Sequence, residues 1–311
     1  MNSSLFSLAP GLFPGSSTSG PPPPSDSGFI YVTNGGDNTV SKISCVTNLV
    51  VGSPISVGLT PYGIVWDNDT HLYVANAGSF RYSRILLGSS PSVDETINGN
   101  DGPLNLAWDG TSSIYSTCVG NDELDKILIS DSSVTFDFLD NPNGIAWDHS
   151  THLWITRSSV DPIVLCTVGT VTTSATTIPG KASDIAWDGG LFMWMTDTSS
   201  DLVRIARIST VAVDSTISTS SSPGSIAWDG GDNMWVTCAN AIDIISKTSR
   251  TIIHTIGSLN QILGVCWNTG NHMYVTDLTA NTVLAFNKTT YSLDATIPVG
   301  NSPSKVAWVP I

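Results

Sequence analysis

The sequence predicts an all-β fold: a seven-bladed β-propeller whose ring is closed by pairing the C-terminal strand with N-terminal strands. Three observations carry this. Tryptophans at Trp66, Trp108, Trp147, Trp187, Trp228, Trp267 and Trp308 recur every 39 to 42 residues, a period that fits propeller blades and also some helical solenoids. Around each of them hydrophobicity alternates with period two, which selects strands over helices. Composition agrees, because only 12% of the 311 residues are charged and Glu95 and Glu123 are the only glutamates, so good helix formers are scarce.

Each unit reads in the same order. It begins with aliphatic-small-Trp, as in "GIAW" at 144–147 and "SIAW" at 225–228, a short strand expected to be buried on both faces. Asp67, Asp109, Asp148, Asp188 or Asp229 follows, replaced by Asn268 and finally by Val309, and the Gly, Asn or Ser beside most of them marks a tight hairpin. A second strand comes next, as in "HLYVA" at 71–75, "HLWIT" at 152–156 and "NMWVT" at 233–237. A polar loop leads to a third strand such as "LVRIARI" at 202–208, and a Thr- and Ser-rich fourth such as "SLDATI" at 292–297 closes the unit. The two ends of the chain hold complementary fragments. "FIYVT" at 29–33 is a second-strand phrase with no Trp strand before it, and "SPSKVAW" at 302–308 is a Trp strand with nothing after it. Pairing them makes a seventh blade and removes the free sheet edges. The propeller therefore occupies residues 29–311.

Residues 1–28 stand outside the repeat. "SSTSGPPPPSDSG" at 16–28 has the composition of an extended linker, stiffened by its proline run. Before it, Leu5, Phe6, Leu8, Leu12 and Phe13 lie in a segment too short to fold alone, which points either to an apolar peg that docks on a protein partner or to a plain tail. The net charge of −14, with 12 scattered Lys and Arg, argues against nucleic acid and against anionic membranes. There is neither a basic, apolar leader nor a membrane-length apolar run, so the chain is expected to start at Met1 and to be made in a cytoplasm. Cys45, Cys118, Cys166, Cys238 and Cys266 are widely spaced without a CxxC pair and are expected to be small apolar strand residues, not zinc ligands or disulfides.

"YVTNGGDNTVSKI" at 31–43, together with the recurring Pro-x-Gly-Ile-Ala-Trp-Asp phrase, resembles the YVTN and NHL class of propeller repeats over residues 29–311. That resemblance implies the seven-bladed fold. It leaves function open, since such propellers include surface-layer proteins, scaffolding and ligand-binding modules and a few enzymes.

Function has to be sought where the repeat fails. The ends of the second strands (Asn34, Asn76, Cys118, Arg157, Asp197, Cys238, Asp277) and the starts of the first strands (Gly63, Asn105, Gly144, Asp184, Ser225, Gly264, Lys305) are expected to ring one mouth of the central channel. Asn76, Asn105, Arg157, Asp184, Asp197, Asp277 and Lys305 are the candidate binding residues. Arg157 and Asp197, on neighbouring blades, suit a carboxylate or a sugar hydroxyl, or form a solvated ion pair. No histidine joins this ring and no base stands beside a nucleophile, so no catalytic residue is assigned. The streptogramin-lyase group of propellers resembles these blades, and its pattern implies a Glu directly after the second strand. The matching positions here hold Arg157, Asp197, Cys238 or Asn.

No metal or cofactor is expected. His71, His152 and His272 start second strands on separate blades and cannot share an ion, His149 with His152 is a weak surface pair, and His254 has no evident partner. The aspartates after each Trp suit turn capping better than calcium, which needs six to eight oxygens. The chain is accordingly expected to be a non-enzymatic structural or recognition propeller, tethered by residues 1–28 to a larger assembly such as a phage tail, fibre or capsid decoration, and located in a virion or at an extracellular surface. The alternative is a secreted or cell-surface bacterial propeller binding a glycan or protein, and a lyase is the weakest reading.

Overall fold

The computed structural model describes residues 26–158, 163–176, 178 and 181–310. Among them the strands form seven antiparallel sheets, six of four strands and one of five. The first strands are Pro61–Trp66, Pro103–Trp108, Pro142–Trp147, Asp184–Trp187, Ile226–Trp228, Ile262–Trp267 and Pro303–Val309, defining blades 1 to 7 in that order. Each packs on the next and the last packs on the first, so together they line a central channel. No helix among the described residues is long and apolar enough to cross a membrane.

Blade 7 joins the two ends of the chain as the offset requires. Phe29–Asn34 runs antiparallel to Pro303–Val309, with Phe29 opposite Val309 and Asn34 opposite Pro303. Its outer strand is broken into Leu49–Val50 and Ile55–Ser56, which pair with opposite ends of Thr39–Ser44. Pro54, lacking an N–H to donate, and Gly52, with φ of 76°, lie in the interruption.

The threonine of the second-strand phrase binds blade to blade. Near its start, the first strand slips out of register with the second in several blades, leaving a backbone N–H without a ladder partner. The buried hydroxyl of the facing threonine accepts that N–H: Gly144 N to Thr156 Oγ1 at 2.7 Å, Ser225 N to Thr237 Oγ1 at 2.9 Å, Gly264 N to Thr276 Oγ1 at 2.7 Å. The hydroxyl proton then goes to a carbonyl of the following blade in five cases: Thr117 to Asn143 O, Thr196 to Gly224 O, Thr237 to Leu263 O, Thr276 to Ser304 O and Thr33 to Tyr62 O. The glycine of the Pro-x-Gly phrase permits this approach, since a Cβ at Gly264 would lie 2.5 Å from Ser304 O.

The core lies between neighbouring sheets. Tyr73, Tyr115, Trp154, Trp194, Trp235 and Tyr274 of the second strands are fully buried, and one cluster joins Val203 and Ile205 of blade 4 to Met234 and Val236 of blade 5. Four cysteines are buried and Cys266 is half-buried, with no disulfide among the described residues. Burial, helped by the charge of Asp243, pushes the Cys238 thiol up to about 12, so it stays protonated at neutral pH. One expectation is corrected: the first strands are not buried on both faces. Their tryptophans are only half-buried because the face turned to the axis meets the channel.

Candidate functional site

The channel has two chemically different ends. At the end where the first strands begin, Lys305 reaches inward from blade 7, and its Nζ donates to Asp184 Oδ2 of blade 4 at 2.8 Å and to Ser225 Oγ of blade 5 at 2.6 Å. The ammonium thus crosses the axis, with Asn105 lining the same narrow cavity. Burial works to lower the Lys305 pKa, but the charge and hydrogen bond of Asp184 outweigh it and leave the group above its ordinary value. Asn105 Nδ2 donates to Asn143 O of the next blade at 3.1 Å.

The second-strand ends are placed differently. Asn76 is buried, and its amide donates to Ser83 Oγ on the third strand of its own blade at 3.0 Å. Asp197 accepts from Ser199 N and Ser200 N at 3.0 Å each and pairs with Arg204, all within blade 4. These bonds outweigh the effect of burial and hold its carboxyl below the usual range. Asp277 accepts from Thr279 N at 3.1 Å and Ala280 N at 2.8 Å. Arg157 ends the second strand of blade 3, opposite Pro142. The structure therefore brings Asn105, Asp184 and Lys305 together at the channel, turns Asp197 and Asp277 into their own loops and ties Asn76 to the third strand of its own blade. Leu5, Phe6, Leu8, Leu12 and Phe13 lie outside the described residues.

The other end of the channel opens into a cup of about 890 Å³ lined by Trp66, Trp108, Trp147, Trp187, Trp228 and Trp267, with Val65, Ala107, Ala146, Ala186 and His149 between them. Every one of these indoles is half-buried. Trp108 meets Trp147 edge-on at 5.9 Å between ring centroids, and Trp187 meets Trp228 in the same way at 6.0 Å. The hairpin after each Trp sets its pose. Asp67, Asp188 and Asp229 use one carboxylate oxygen to accept backbone N–H groups two and four residues on, at 2.8 to 3.1 Å, and Asn268 does the same with its amide oxygen. The carbonyl three residues beyond the Trp then accepts the indole N–H in Trp66, Trp187, Trp228 and Trp267. The residue after the Asp has a positive φ, 78° at both Gly189 and Gly230, and a Cβ at Gly230 would lie 1.9 Å from the Trp267 ring. The Asp-Gly pair thus both makes the turn and admits the next blade's indole.

Asn68, His149 and Thr269 replace that glycine in blades 1, 3 and 6, all at positive φ, and blade 3 departs furthest. His149, at φ 58°, takes the glycine's place, and its ring is sandwiched between Trp147 at 4.3 Å and Trp187 at 4.0 Å. Its edge stays open to solvent while its faces are covered. That covering holds the imidazole below its ordinary value, against a weaker opposing pull from Asp148. A base whose folded pKa is lowered contributes stability that is intact above the unfolded value of about 6.5 and is lost as pH falls through the folded value. His149→Phe keeps the stacked ring without the proton. Urea midpoints at pH 7 and pH 5 should fall further for the wild type than for H149F, and equal falls would contradict this assignment.

The remaining histidines serve the scaffold. His71 Nε2 lies 3.2 Å from Asp94, His272 lies 3.2 Å from Asp26 and 3.0 Å from Asp294, and no metal-holding cluster occurs among the described residues. His254, for which the sequence suggested no partner, stacks on Tyr291 at 4.7 Å.

Sequence reasoning read the repeated tryptophans as packing and so missed the cup. The available signal was the small residue before most of these tryptophans and the glycine that follows the aspartate in three blades (Gly110, Gly189 and Gly230), which leave one indole face uncovered.

No family model matches the chain, and no curated protein matches it. Solved structures do. A functionally unknown protein from Desulfotomaculum acetoxidans superimposes with a TM-score of 0.77 at 13% identity, over 91% of this chain and 99% of that one. Apo AztD from Citrobacter koseri gives 0.69 at 12% identity, over 90% and 97%. A virginiamycin B lyase from Staphylococcus aureus gives 0.71 at 15% identity, over 82% and 89%. These likenesses establish the seven-bladed propeller, shared with proteins of different activities, and reach no further than the fold.

Proposed function

We propose that this chain is a non-catalytic recognition propeller whose ligand seats in the indole cup. The observation that carries the reading is the set of six half-buried tryptophans lining one cavity, four of them fixed by an indole N–H bond to their own hairpin. Such a surface favours ligands that present flat or ring-shaped apolar faces, namely a sugar ring or an apolar peptide segment, and its rigidity lowers the ordering cost of binding. Attachment through residues 1–28 to a larger particle, viral or cell-surface, belongs to the same reading and rests on composition. The opposite end of the channel is better suited to holding the ring together than to binding, since Lys305, Asp184 and Ser225 already satisfy one another.

Screening the protein on a glycan array and on a peptide library, with indole fluorescence as the solution readout, tests this. Trp187→Ala and Trp228→Ala should each weaken a captured ligand about tenfold, or 1.4 kcal/mol. A ligand whose affinity ignores both changes but responds to Asn105→Ala would move the site to the polar end and sink the proposal.

A further inference from the structure

The cup has a candidate occupant within the chain itself. Residues 26–28 are tied to its rim. Asp26 Oδ1 accepts from Asn271 N at 3.0 Å and from Asn268 Nδ2 at 3.2 Å, and lies 3.2 Å from His272 Nδ1, so it is fastened to the turn that follows Trp267. Burial opposes these bonds, yet they hold the Asp26 carboxyl below its usual range. Ser27 O accepts the indole N–H of Trp308 at 3.3 Å. In blade 7 this takes the place of the hairpin carbonyl used elsewhere, because no hairpin follows Trp308. The chain therefore arrives beside the turn that follows Trp267, a member of the cup lining, next to the blade whose own hairpin is missing.

What precedes Asp26 is "PPPPS", with Pro24 only two residues away. Proline runs favour polyproline II, and four residues of it make a rod of about 12 Å, which spans two of the 6.0 Å intervals between neighbouring indoles. Rods of this kind dock on aromatic-lined grooves because their flat rings stack on indoles and little chain entropy remains to be lost. Charge is matched as well. Residues 1–25 contain no Asp, Glu, Lys or Arg, and the cup lining carries none of these either.

We propose that Pro21–Pro24 of the chain's own arm is the resident occupant of the indole cup, so that any outside ligand has to displace it. This rests on the recognition reading above, which it deepens by naming a competitor for the same site.

The test compares the full chain with the full-length variant P21S/P22S/P23S/P24S. If the rod covers the indoles, acrylamide quenching of tryptophan fluorescence should be about two-fold steeper in the serine variant, since a seated ligand shields most of a pocket. A synthetic peptide of residues 17–26 should restore the shielding when added to the serine variant, and should fail to do so when that variant also carries Trp187→Ala. Equal quenching of the two full-length proteins, or a peptide without effect at millimolar concentration, would overturn the proposal. The two ideas can fail separately: a serine variant that still captures an array ligand through Trp187 and Trp228 leaves recognition standing without the resident arm.

Discussion

Deleting residues 303–311 is expected to abolish the cooperative fold and leave the remaining strands as an associating species. The excised strand supplies the inner edge of blade 7, pairing with Phe29–Asn34 along its length, and carries Trp308, packed with Ile30 and Val32. Its loss opens the ring and exposes the backbone of "FIYVTN", an apolar six-residue edge of the kind that recruits other chains. The Thr33 bridge to Tyr62 O, 2.7 Å long and joining blade 7 to blade 1, has nothing left to brace. The cost should exceed about 5 kcal/mol, comparable with the entire net stability of many domains. Size-exclusion chromatography and urea unfolding followed by near-ultraviolet circular dichroism measure it, and a peptide of residues 299–311 should recover part of the monomer. A truncated protein that unfolds in one sharp transition at the wild-type midpoint would show that closure contributes little.

Lys305→Met is expected to have the next largest effect, about 2 to 3 kcal/mol. The substitution fills similar volume but leaves the Asp184 carboxylate, 17% exposed, without its counter-ion inside the channel. Removing one partner of a buried pair costs about 3 to 5 kcal/mol, and the partial exposure here reduces that figure. For a chain of this size the loss should lower the melting temperature by several degrees. Adding Asp184→Asn to Lys305→Met should return much of the loss, because the uncompensated charge goes with it. The sign of the pH dependence follows from the raised Lys305 pKa. The contribution is fully present below the unfolded value of about 10.4 and disappears as pH rises through the folded one. Thermal melts of the single and double variants at neutral pH decide the matter, and a double variant no more stable than K305M would contradict it.

The architecture was legible because a propeller writes its period into every blade. The Trp spacing, the Asp-Gly hairpin and the unmatched phrases at the two ends each state a local requirement that only one closed arrangement meets. The site was legible in part. Asn105, Asp184 and Lys305 reach the channel because they sit near the start of the first strand, the innermost strand of each blade. Asn76, Asp197 and Asp277 end the second strand, where a loop begins, and a short polar side chain there is drawn to its own blade: Asp197 and Asp277 to the backbone N–H groups of that turn, Asn76 to Ser83. The same turn chemistry had been assigned to the aspartate after each Trp, and it applies equally here. The cup was hidden for another reason. A periodic aromatic on an inner strand looks identical in sequence whether its ring meets a neighbour or a cavity, and only the closure of the ring distinguishes the two.

His149 gives the cup a direction. Seven equivalent blades would offer a small ligand seven equivalent orientations about the axis, a degeneracy worth about 1 kcal/mol of favourable entropy at room temperature. With one imidazole wedged between Trp147 and Trp187 and no such insert between Trp187 and Trp228, the orientations are no longer the same. Under the recognition proposal, a ligand seated here would give up that entropy and in return take a single angular setting, with one edge of a ring-shaped guest distinguished from another.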